Sequence, residues 1–100
     1  MFVVTGYLTI NPELRAEAEA AIAAFVPLTQ AEEGCIDYRF STDVLDPNRI
    51  NGVEQWADQA AIDAHMASTH MAEFMAAIGP CLGGGASFDC HEISATTKLI

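Results

Sequence analysis

One hundred residues, 51% of them hydrophobic, suit a single domain spanning residues 1–100 that buries its own core without crosslinks. A net charge of −10, from 14 acidic against 4 basic residues, excludes nucleic acid as a partner, because neutralising phosphates takes clustered Lys and Arg. Thr5, Pro27 and Pro80 interrupt the apolar runs before the length of a membrane span, and Cys35, Cys81 and Cys90 show no C-x-x-C spacing. A soluble, cytoplasmic protein with no membrane contact, disulfide framework or zinc centre is therefore expected.

Phe2 to Ile10 is rich in β-branched and aromatic residues and reads as a first strand, with Phe2, Val4, Gly6, Leu8 and Ile10 on one face. Asn11 can cap a following helix and Pro12 suits its first position. Leu14, Ala18, Ala21, Ile22, Phe25 and Leu28 recur at helical spacing as its buried stripe, and Pro27 is expected to kink it. Gly34 fits the left-handed residue that closes this segment.

Cys35 to Thr42 alternates Ile36, Tyr38 and Phe40 against Asp37, Arg39 and Ser41, and Arg49 to Trp56 places Ile50, Gly52, Glu54 and Trp56 on one face, so two further strands are predicted. Leu45-Asp46-Pro47-Asn48 joins them as a hairpin; a turn centred between Asp46 and Pro47 sets Arg39 opposite Glu54 as a charge pair. Asp58 reads as the cap of a short helix through Met66, and Ser68 or Thr69 as the cap of another, with Met71, Phe74, Met75, Ile78 and Leu82 as its buried stripe. Gly83-Gly84-Gly85 is read as a flexible connection to a last strand from Ala86 to about Thr96.

The predicted order is β-α-β-β-α-β with the second helix broken, a ferredoxin-like α+β antiparallel sheet with helices on one face. The other face carries Val3, Tyr7 and Val53, and its need for a cover predicts a homodimer that closes two sheets into an α+β barrel.

Glu33-Gly34-Cys35-Ile36-Asp37-Tyr38, then Asp46-Pro47, Glu54-Gln55-Trp56, His65, His70 and Phe74 form an ordered constellation along most of the chain. Taken together it resembles the antibiotic-biosynthesis-monooxygenase family of small dimeric α+β barrels, which includes quinol oxygenases that use no metal or flavin. The resemblance implies a monooxygenase that needs no cofactor and acts on a quinol or polycyclic phenol with dioxygen. An isomerase or lyase in the same pocket, or a non-catalytic ligand-binding module, are the alternatives.

Histidine titrates near neutrality, so His65 and His70 are candidate acid/base groups, with capping or packing as their structural reading. Their five-residue separation is not the i, i+4 spacing of a zinc helix, and no metal is expected. Glu54 is the third candidate catalytic residue, and Trp56 a candidate stacking surface for a flat substrate; pairing with Arg39 and core packing are their structural readings. Gly6, Phe74, Met75 and Met66 complete the predicted substrate-binding set. Haem-degrading relatives carry Asn, Trp and His where this chain has Gly6, His65 and Met75, so haem is not expected as a cofactor. Some polyketide-oxidising relatives carry Asn at the position of Gly52, a further departure.

Overall fold

The computed structural model describes residues 1–100. Strand β1 (Phe2–Ile10) leads through a single 3-10 turn (Pro12–Leu14) into helix α1 (Arg15–Gln30). A hairpin of β2 (Cys35–Thr42) and β3 (Arg49–Trp56) follows, then helices α2 (Gln59–Met66) and α3 (Thr69–Ile78), and finally β4 (Leu82–Glu92). The sheet order is β2-β3-β1-β4 and every pairing is antiparallel, which makes the protein a ferredoxin-like α+β domain. No helix is long and apolar enough to cross a membrane.

The helix starts follow local chemistry. Asn11 accepts the Glu13 N–H, Asp58 the Ala61 N–H and Ser68 Oγ the Met71 N–H, each relieving an amide that a helix cannot satisfy internally. Asn11 and Pro12 open the 3-10 turn rather than α1 itself. Helix α1 runs through Pro27 to Gln30, and Gly34 at φ 82° then turns the chain into β2.

Val4, Leu8 and Ile10 from β1 meet Tyr38, Ile50, Trp56, Phe25, Phe74 and Ile78 in one core. Phe25 and Phe74 stack with centroids 4.2 Å apart, locking α1 to α3. Three stripe positions differ from expectation: Leu82 lies beyond α3, at the start of β4, and two others turn outward. Leu28 is exposed while Thr29 is buried, because a 3.6-residue step from Ala18 through Ala21 and Phe25 arrives nearer 29 than 28. Met75 likewise lies one position round α3 from buried Phe74 and is largely exposed.

Three features of the sheet also differ. Tyr38, not Arg39, lies opposite Glu54, so the expected Arg39–Glu54 pair does not form, and Arg39 bonds Asp37 at 2.8 Å instead. The cause is the connecting loop: Asp43 accepts the Leu45 and Asp46 amides and centres the hairpin on Asp46, one half-step from the expected position. A bulge between Cys35 and Asp37 leaves Ile36 exposed. Finally, β4 begins at Leu82 and ends at Glu92, so the triple glycine lies inside the strand. Its register against β1 slips between Leu8 and Ile10, and a Cβ on Gly83 would come 2.8 Å from the Asn11 nitrogen; small residues absorb the irregularity.

Candidate functional site

A cavity of about 520 Å³ opens between the helix-facing side of the sheet and helices α2 and α3. Of its 18 lining residues 14 are hydrophobic, and none is Lys or Arg, so it suits an apolar ligand without a strongly anionic group. Phe40, Phe74 and Phe88 give it aromatic walls, and Met66, Met71 and Met75 give it adaptable ones. Its polar side chains are few: His65, Glu54, Tyr38 and the Cys90 thiol.

Phe88 owes its place to two glycines. Gly6 and Gly52 are register partners, and a Cβ on either would come within 2.6–2.7 Å of the Phe88 ring. The bare backbone of β1 and β3 is thus the seat on which that wall rests. Gly6, expected at the ligand surface, is covered by Phe88 instead.

His65 is 2% exposed and lies on α2 where the ring packs 4.7 Å from the Trp56 indole. Its Nδ1 is 2.7 Å from Glu32 Oε2, and His70 Nε2 is 3.0 Å from the same oxygen. An ionised carboxylate only accepts, so both imidazoles donate to it: His65 carries its proton on Nδ1 and keeps a free lone pair on Nε2. The only side-chain hydrogen bond of His65 runs through Nδ1 to Glu32, and the residue lines the cavity. Burial pushes the imidazole below its ordinary pKa, the Glu32 hydrogen bond and charge oppose that shift, and neighbouring His70 adds to it.

Trp56 is fully buried and does not line the cavity. Its indole N–H donates to Glu54 Oε1 at 2.9 Å, which holds the carboxyl beside the cavity from behind. Burial raises the Glu54 pKa above the ordinary carboxylate value; the Trp56 hydrogen bond opposes this and the charge of Glu32 reinforces it. The Tyr38 hydroxyl is raised too, by burial first and then by the charge of Glu54, so it stays a neutral donor. The same causes, burial followed by the charges of Glu32, Glu54 and Asp37, raise the Cys35 thiol.

Of the residues singled out in the sequence, His65, Glu54, Phe74, Met75 and Met66 converge on the cavity, whereas His70, Trp56 and Gly6 stand behind its wall. Sequence reasoning missed Glu32, Tyr38 and Phe88 as parts of this arrangement. Glu32 is 33 residues from His65 and 38 from His70, and its position just after α1 gives no local sign of that contact.

The profile of the antibiotic biosynthesis monooxygenase family matches residues 1–77, and the chain belongs to that family. YcnE of Bacillus subtilis, provisionally named a monooxygenase, is 32% identical over 76 residues, covering 76% of this chain and 80% of that one. The protein sll1783 of Synechocystis, whose function is not characterised, is 29% identical over 97 residues, which are 97% of this chain but 66% of that protein's length. In three dimensions, a Deinococcus radiodurans crystal structure provisionally assigned to the same family superposes with a TM-score of 0.92, covering 100% of this chain and 99% of that one at 20% identity, a likeness of fold.

Proposed function

We propose that the protein is a monooxygenase that oxidises a quinol or polycyclic phenol with dioxygen, the substrate itself supplying the electrons. One observation carries the reading: a buried histidine whose Nδ1 is held by Glu32 is one of the few polar residues lining an apolar cavity. A base so placed takes the phenolic proton, and the resulting electron-rich phenolate can pass an electron to dioxygen. His65 is the base, Glu32 its positioning residue, and Glu54 and Tyr38 supply polar contacts to the ring oxygens. His70 acts through Glu32, and Trp56 through Glu54 and the underside of His65. Membership of a monooxygenase family, and a relative in Bacillus subtilis provisionally named for that activity, support the reaction class. The working protein is a homodimer, paired through the sheet face that the helices leave open.

Oxygen uptake with menadiol or a related hydroquinone tests this. General-base loss costs roughly 10²–10⁴-fold, so His65→Ala should lower the rate by about 100-fold or more. His65→Gln, which keeps more of the buried volume, should do the same with an unchanged circular dichroism spectrum. Uptake that survives either change removes His65 from the reaction.

An isomerase or lyase reading has one observation of its own: a carboxyl with a raised pKa and an imidazole base line one cavity, the pair an enolisable carbonyl compound needs. Turnover that persists without oxygen would select it.

A further inference from the structure

The side of His65 that faces away from the cavity meets two other metal-ligating groups. Glu32, His65 and His70 present one carboxylate oxygen and two imidazole nitrogens, all within 4.8 Å of one another. Glu32 comes from the turn after α1, His65 from the last turn of α2 and His70 from the first turn of α3, so three elements converge and none is a mere sequence neighbour. The five-residue histidine spacing that argues against a zinc helix is therefore no obstacle, since the break between α2 and α3 folds both rings onto the same carboxylate.

We propose that Glu32, His65 and His70 bind a borderline divalent cation of the Zn²⁺ class, which switches His65 from proton acceptor to proton donor at the cavity wall. This goes beyond the oxygenase reading and stands without it. Two imidazoles and one carboxylate match the preferences of Zn²⁺ and Co²⁺, and disfavour the all-oxygen ions Ca²⁺ and Mg²⁺. Ligand bonds of about 2.0–2.2 Å bring such donors to roughly 3.3 Å apart in a tetrahedron. The Glu32 oxygen is 2.7 and 3.0 Å from the two nitrogens, so both contacts have to open slightly as the cation enters between them. His70 can move: its side chain is 19% exposed, against 2% for His65, and it begins a new helix.

Two imidazole N–H groups now point at Glu32 Oε2, and the cation takes the place of both protons. A metal-bound nitrogen needs its lone pair, so the His65 proton moves from Nδ1 to Nε2 and the ring stays neutral. The nitrogen that accepts a proton in the free protein donates one in the metal-bound protein. His70 undergoes the complementary shift from Nε2 to Nδ1.

Metal-free protein is titrated with Co²⁺ and, by calorimetry, with Zn²⁺, both without substrate, so the outcome is independent of any turnover. We expect saturation by a single ion, with visible d–d absorption and no thiolate charge-transfer band. Glu32→Gln and His70→Ala should each weaken binding by about 100-fold, the upper end of what even outer-shell partners command. His70 is partly exposed, and circular dichroism of His70→Ala checks that the fold survives. Long-range ¹H–¹⁵N spectra of the Zn²⁺ form should show the His65 proton on Nε2. Lack of saturable binding, a charge-transfer band from a cysteine, unchanged affinity in His70→Ala, or a His65 proton still on Nδ1 in the metal-bound form would each overturn the proposal.

Discussion

Glu54 shows how a single residue's environment can outrank its sequence partners. In sequence it has Arg39 as a candidate counter-ion; in the fold it has a buried indole N–H and a nearby carboxylate, Glu32. Burial raises its pKa above the ordinary 4.5, so the folded chain holds this proton more tightly than the unfolded chain. The stability linked to the protonated form is then complete below about pH 4.5 and is lost as pH rises through the folded value. Glu54→Gln keeps an oxygen for Trp56 and removes the charge. Its melting temperature should match the parent's in acid and exceed it at pH 7, measured by thermal denaturation across that range. Equal melting temperatures at pH 7 would mean that the carboxylate is solvated.

At the scale of elements, the turn between α1 and β2 is the joint that brings Glu32 under the histidines. Gly34 has φ +82°, and a Cβ there would come 2.6 Å from the Ala61 Cβ on α2. Gly34→Ala should therefore destabilise the fold: the left-handed conformation alone costs about 1–2 kcal/mol, which lowers Tm by roughly 4–16 °C in a domain of this size. Ala61→Gly in the same chain relieves the clash and not the backbone strain, so only part of the loss should return. Full recovery would place the whole effect in the contact.

Those elements were legible to unequal degrees. Alternating Ile50, Glu54 and Trp56, the caps Asp58 and Ser68, and Gly34 are local signals, and the strands, helix starts and turn they mark are present. The hairpin register was not legible, because it depends on Asp43 folding the loop back on itself. Nor was the start of β4: the sequence predicts the last strand from Ala86, but the glycines before it, which read locally as a connection, also belong to the strand that pairs with β1. The apolar cavity follows from side-chain patterns in α3 and β1, while Glu32 enters only through a contact 33 residues long. Trp56 illustrates the same limit: alternation places it on the helix-facing side, but the depth that buries it under His65 is set by α2.

At the scale of the whole molecule, the helices cover one face of the sheet and leave the other bare. Val3, Tyr7 and Val53 share it with Thr5, Asn51, Gln55, Ser87 and Asp89, and Arg49 lies 4.0 Å over the Tyr7 ring. Val53 remains 40% exposed in the middle of this face. Pairing two such faces would bury the three apolar side chains and leave polar partners around them, as in a dimer interface with an apolar centre and a polar rim. Each copy also carries a net charge of −10, so association works against like-charge repulsion that salt screens. Light scattering should give twice the chain mass, with the dimer fraction at low protein concentration rising as salt is added. Val53→Asp sets two like charges at the centre of the interface and should yield a folded monomer. If the parent chain is a monomer at micromolar concentration in high salt, the open face is simply solvated and the barrel does not form.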